Sequence, residues 1–297
     1  MKKILFLLIS VLFIVSSCNE DENNNSTNNP DTSLNNYSGP EMVKINDKIF
    51  SVPSPIQASA LVKEKNIPFN PDLLNKTDNY TKYLTSFKQA LNIGVYGANL
   101  GNLFIYDQLS QSAEYFNVIK KLSEQVGVMN SINEALIKRI ENNNDNRDSL
   151  MYIISEVYRQ IDSYLLENDQ EELGVLIIAG GWIESLFLLT QIIQTDRDPA
   201  IISRIGEQQT PLDNLIELLQ PHYGQKSEEF DFLLESLVNL SIIFDAIEVK
   251  YIYEAPTIDP ENNLTIINCT TTYNISDEEL VVISEKIEEL RSWIIAE

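Results

Sequence analysis

The sequence predicts a mainly α-helical domain, an antiparallel multi-helix array with a small two-stranded antiparallel β-ribbon before its last helix. Three observations predict it. Apolar residues recur at offsets of three and four through most of the chain, helix-opening signals precede several of those stripes, and only one stretch, at about 247–275, alternates with a period of two.

Taken in order, Pro40 to Asn75 is punctuated by Pro53, Pro55, Pro68 and Pro71, which predicts an extended entry with one short helix at Ile56–Lys65. Tyr80, Tyr83, Leu84, Phe87 and Leu91 fall at offsets of 3, 4, 7 and 11, predicting a helix with one buried face. The capping box of Ser131 with Glu134, and the pairs Asp198-Pro199 and Thr210-Pro211, each open a further helix. Leu150, Ile153, Ile154, Val157, Ile161, Tyr164 and Leu165 form one apolar stripe; Phe230, Leu233, Leu234, Leu237, Leu240, Phe244 and Ile247 form another.

The ribbon follows from the alternation of Ile247, Val249, Tyr251 and Tyr253 and from the Thr-rich run Leu264 to Ile275, with Pro256 to Asn263 as the connecting loop. An isolated ribbon is marginally stable, so this one is expected to pack on the helices. Ser276 and Glu279 form a capping box that opens the last helix, with Leu280, Ile283, Ile287, Leu290 and Ile294 inward. Tetratricopeptide consensus residues do not recur at a fixed period.

Leu173 to Ile193 is the most unusual segment: 21 residues with a single charge, Glu184, and the run Gly180-Gly181-Trp182. Its length suits a membrane span, but the acidic start at Glu171 and Glu172 suits the N-terminus of a buried central helix in a soluble array. Two glycines in a helix interior each cost roughly 1 kcal/mol against alanine, so something must offset them. Either a neighbouring helix approaches closely, with Gly94, Gly97 and Gly101 as the second small-residue face, or the missing side chains open a pocket lined by Tyr96, Asn99, Trp182 and Glu184. Glu184 itself needs an ion-pair or hydrogen-bond partner, or else it is a catalytic acid paired with a second carboxylate, as glycoside hydrolysis requires.

The remaining chemistry is read from what the sequence lacks. His222 is the only histidine and follows Pro221 at a helix end, which leaves no histidine cluster for a metal and no histidine-led triad. There is no Gly-x-Ser-x-Gly elbow, Ser-x-x-Lys pair, phosphate-binding Gly-Lys-Ser/Thr loop or His-Glu-x-x-His. Asn142 to Asp148 is oxygen-rich but lacks the glycine and closing glutamate of an EF-hand, and reads as a solvated loop. No metal and no cofactor is expected.

At the N-terminus, Lys2 and Lys3 precede an apolar run from Ile4 to Val15, then Ser16-Ser17-Cys18. A twelve-residue stretch, apolar but for Ser10, is too short to cross a bilayer and forms a secretory signal instead. The arrangement resembles a bacterial lipoprotein signal, which implies removal of residues 1–17, acylation of Cys18 and anchorage in a lipid bilayer. Residues 18–39 open with Asn19-Glu20-Asp21-Glu22 and continue rich in Asn, Ser and Thr, the composition of a flexible tether; residues 40–297 form the single helical domain. Acidic residues behind the cysteine resemble the export signal of surface lipoproteins in Bacteroidota, implying an outer-membrane lipoprotein displayed at the cell surface.

The whole chain carries a formal charge of −23; loss of the two leader lysines leaves 19 basic against 44 acidic side chains, or −25. With no basic stripe, such a field repels phosphate, and nucleic acid is excluded as a partner. If Cys18 is acylated, Cys269 has no cysteine to pair with, and stability must come from packing.

The runs Ser54-Pro55-Ile56-Gln57, Gly94-Val95-Tyr96-Gly97-Ala98-Asn99 and Ala179-Gly180-Gly181-Trp182-Ile183-Glu184-Ser185 resemble those of a family of uncharacterised helical lipoproteins of Bacteroidota. The resemblance spans most of the mature chain and implies no activity. It also implies an aspartate where this chain has Asn99, a departure that weakens acid–base chemistry at that position. The expectation is a non-enzymatic, membrane-anchored binding or interaction module for an unknown protein or small molecule. Its alternatives are a carboxylate-dependent hydrolase using Glu184, and a helical scaffold docking an outer-membrane complex.

Overall fold

A computed structural model of the chain describes residues 41–45, 48–52, 55–128, 170–259 and 264–297. Cys18 and the tether, the capping box at Ser131, the loop at Asn142 and the stripe from Leu150 to Leu165 lie outside those residues. The described elements are β1 (Glu41–Ile45), β2 (Lys48–Val52), α1 (Pro55–Glu64), α2 (Ser86–Ile105), α3 (Leu109–Gln125), α4 (Glu171–Ile192), α5 (Pro199–Gly206), α6 (Gln209–Leu219), α7 (Glu228–Asp245), β3 (Glu248–Ile252), β4 (Thr257–Asp259), β5 (Leu264–Ile266), β6 (Thr270–Asn274) and α8 (Asp277–Ile295). The architecture is mainly α, as the apolar periodicity predicts.

Two helices form the centre. Among the described elements α2 and α4 share the most extensive contact; α3 and α1 cover α2, while α8 lies against α4 and α7, and α6 against α7. α4 is long and apolar enough to span a membrane, yet 83% of its most apolar window is buried by protein. That burial is what the acidic helix start predicts. The stripes of α7 and α8 are buried at every position named for them, from Phe230 to Phe244 and from Leu280 to Ile294. The Ser276–Glu279 capping box is closed in both directions.

The entry region departs from expectation in two ways. β1 and β2 pair antiparallel, Glu41 with Val52 through Ile45 with Lys48, where only extended chain was expected. The helix read from Tyr80 onward starts later, at Ser86, because Thr85 caps it by accepting from the Lys88 amide and Tyr83 is extended at φ −86°, ψ 97°. Tyr80 belongs instead to a 3₁₀ turn, Thr77–Lys82, and Leu84 is 85% exposed. Asp198 caps α5 as expected, whereas α6 opens at Gln209, so Thr210 lies within its first turn rather than capping it.

The ribbon is present but longer and barer than expected. β3 pairs with β6 from Glu248–Asn274 to Ile252–Thr270, and β4 pairs with β5 from Thr257–Ile266 to Asp259–Leu264, so Thr257–Asp259, expected in the connecting loop, are paired strand. Only its root is packed. Ile247 is buried, and the Tyr273 ring sits over Gly206 of α5, where a Cβ would come within 2.5 Å of the tyrosine Cβ. Beyond that footing every residue of β3 and β5 is exposed.

Burial also sets the response to alkali. Desolvation raises the pKa of Tyr83 and Tyr96, and pushes Tyr106 and Tyr115 up to about 12. The unfolded chain loses these protons near pH 10, so stability is intact below pH 10 with respect to them and falls between about pH 10 and 12. Lys88, whose pKa burial lowers, opposes them singly. Denaturant midpoints measured across that range should drop steeply.

Candidate functional site

The glycines close the α2–α4 crossing. A Cβ on Gly94 would lie 2.0 Å from the Ile177 carbonyl oxygen and 2.5 Å from the Gly181 amide nitrogen, and one on Gly180 would lie 1.9 Å from the Leu91 oxygen. These backbones touch where side chains normally stand between them. Gly101, two turns further along α2, meets Ile56 of α1 instead of α4, at 3.0 Å from a built Cβ, and Gly97 is half-buried.

Glu184 is fully buried beside this crossing and is gripped at both oxygens. Arg291 of α8 donates from Nε to Oε2 at 2.9 Å and from Nη2 to Oε1 at 3.1 Å, while Asn99 Nδ2 donates to Oε1 at 2.6 Å. The guanidinium is itself fixed, donating also to the Leu73 carbonyl at 3.0 Å and stacking 4.3 Å from the Phe187 ring centre. A carboxylate held in this fork has its lone pairs committed. The arrangement is the buried ion pair of the two alternatives, and among the described residues no second carboxylate contributes to it.

A chain of amides extends the cluster. Asn99 accepts from the Asn75 backbone at 2.9 Å; Asn75 Nδ2 donates to the Tyr83 hydroxyl at 3.0 Å and to Asn92 at 3.4 Å; Asn92 donates onward to the Ile294 carbonyl at 3.0 Å. Tyr83 donates to the Ile295 carbonyl and Lys88 to the Trp293 carbonyl, its ammonium 4.2 Å from the Trp293 ring centre. These three carbonyls are the ones a helix leaves without partners at its C-terminus. Side chains of α2 and of the turn before it thus cap α8, and Lys88 supplies the cation that the last turn of α8 lacks.

Of the four predicted pocket residues, Asn99 and Glu184 are in contact. Tyr96 donates away from them to the Lys76 carbonyl at 2.8 Å, and Trp182 points off the other side of α4, donating to Gln208 at 3.0 Å. All four are buried, at 0 to 2% exposure. The predicted pocket is filled by these interactions. Sequence reasoning missed Arg291, although it occupies the inward stripe of α8, four residues after Ile287; that position was the available signal.

Two concavities lie elsewhere. A cleft of about 520 Å³ opens between Phe69, Asn70 and Tyr106 on one side and Gln191, Gln194 and Asp196 on the other, and a more open groove of about 720 Å³ lies along α6 and α7 near Tyr223 and Val238. His222 stacks edge-on against Phe230. Among the described residues, no three His, Cys, Asp or Glu side chains converge as a metal site would need.

The ribbon is the remaining candidate. Among the described residues, eight of the fifteen exposed large hydrophobic side chains lie between Glu248 and Asn274, including Tyr251 at 61%, Tyr253 at 69%, Ile258 at 69% and Ile267 at 69%. Cross-strand register places Val249 and Tyr251 on the face of Tyr273 and Thr271, so an apolar strip continues outward from the Tyr273 footing. The Cys269 thiol donates to the Glu254 carbonyl at 3.4 Å, and the neighbouring Tyr251 hydroxyl lowers the pKa of that thiol. No family model, no curated protein and no solved structure matches this chain.

Proposed function

We propose that this chain is a lipid-anchored extracytoplasmic interaction module whose working surface is the ribbon and whose partner is another protein. The observation that carries the reading is the ribbon's exposure. Isolated two-stranded hairpins are marginal in water, and a soluble domain gains nothing in stability from holding valine, isoleucine and tyrosine in solvent on one. The anchor is supported by the leader and Cys18, by the tether and by the resemblance to helical lipoproteins of Bacteroidota. An outer-membrane position on the cell surface accords with the acidic residues behind Cys18.

Glu184 is assigned a structural role here. Its bidentate pairing with Arg291 takes away the group on which a hydrolase reading rests. Anchorage is tested with Cys18→Ser in the full-length chain: the wild type should partition with membranes and release into detergent, and the variant should be soluble. Membrane retention of the variant would contradict the anchor.

A further inference from the structure

We infer that the partner docks by adding an extended, basic-flanked segment to the free edge of β3, turning the two-stranded ribbon into a three-stranded sheet. This rests on the proposed interaction role and specifies its chemistry. An edge strand presents a row of unpaired amide and carbonyl groups, which soluble proteins blunt with proline, lysines, bulges or a covering element. β3 is Glu248-Val249-Lys250-Tyr251-Ile252: it has no proline, one lysine, and all five residues exposed. β6 contacts α5, with Tyr273 over Gly206, and among the described residues β3 pairs on one edge only, with β6, so its other edge is unpaired.

Side chains then choose the occupant. Strand addition draws its affinity from main-chain hydrogen bonds and its specificity from alternate side chains. On one face the added strand meets Val249 and Tyr251, so every second partner residue there is apolar; the other face carries Glu248, Lys250 and Ile252 with Thr270 and Thr272. From 248 to 274 the sequence has Glu248, Glu254, Asp259 and Glu261 against Lys250 alone, on a chain of formal charge −23. A second copy brings the same sign to the same edge, and interfacial membrane binding draws on clustered lysines and arginines, of which this ribbon has only Lys250. A strand flanked by Lys or Arg is attracted on both counts.

The test places photoreactive benzoylphenylalanine at Tyr251, and separately at Phe232 on the exposed side of α7, in the full-length chain inside the cells that make it. The expected result is an adduct at Tyr251 with one other protein, mapping to a peptide of alternating apolar residues flanked by Lys or Arg. Its yield should fall at least ten-fold with Val249→Lys and stay unchanged with Val281→Lys, both variants melting where the wild type does. An adduct only with the chain itself, only with lipid, or only with an acidic or helical peptide overturns strand addition. Adducts with a protein from Phe232 but not from Tyr251 overturn the docking mode and leave the interaction role standing. No protein adduct from either position overturns both.

Discussion

Arg291→Leu should destabilise the domain by about 3–5 kcal/mol, the largest effect expected of any single side-chain truncation here. The substitution leaves Glu184 fully buried with Asn99 as its only partner among the described residues, and an uncompensated buried charge costs that much. It also frees the Leu73 carbonyl and uncovers the Phe187 ring. A folded domain has only about 5–15 kcal/mol to lose, so the denaturant midpoint should drop sharply with little change in slope. Glu184→Gln combined with Arg291→Leu should recover much of the loss, because both charges are then gone. A neutral Arg291→Leu, or a double variant no better than the single, would refute the role given to this pair.

Gly180→Ala should also cost about 3 kcal/mol or more, even though alanine is the better helix former by roughly 1 kcal/mol. The added methyl would lie 1.9 Å from the Leu91 oxygen and 2.8 Å from its carbonyl carbon, both backbone atoms that have no rotamer in which to move away. The two helices must separate, and every side chain sealing the crossing moves with them. Gly94→Ala meets Ile177 and Gly181 backbone in the same way and should behave alike. Gly224→Ala is the comparison: its φ of +68° strains alanine, but nothing lies within 4 Å, so the cost should be about 1–2 kcal/mol. Thermal unfolding of the three variants ranks them, and equal losses would mean that the crossing tolerates separation.

Much of the fold was legible because burial writes itself into spacing. α7 and α8 carry apolar residues at three and four with a serine cap at the start of each, and α4 betrays its central place by having one charge, Glu184, beyond its acidic first turn. The pairing of β1 with β2 was hidden by the prolines that follow β2. The ribbon was found but misjudged. Alternation of Val249, Tyr251 and Tyr253 tells which side chains share a face, and says nothing of whether anything covers that face.

The polar cluster divides the same way. Glu184 announced that it needed a partner, and two glycines announced a close approach, since each is a cost that must be offset locally. The identity of the partner was not readable, because Arg291 is 107 residues away and Asn75, Asn92 and Tyr83 are ordinary residues until the turn before α2 and the end of α8 bring them together. Local rules state a requirement; tertiary contact decides which distant residue meets it.

The proposed division of labour, a locked polar interior and an open ribbon that does the binding, is tested most directly by hydrogen exchange on the full-length protein. Exchange would be compared between the protein purified in detergent and the protein in membranes isolated from the cells that make it. The account predicts that amides of Glu248–Ile252 exchange markedly more slowly in the membranes, where the partner is present, while those of α2 and α4 are equally slow in both. Equal exchange of the ribbon in the two preparations, or protection arising in α2 and α4 instead, would contradict it.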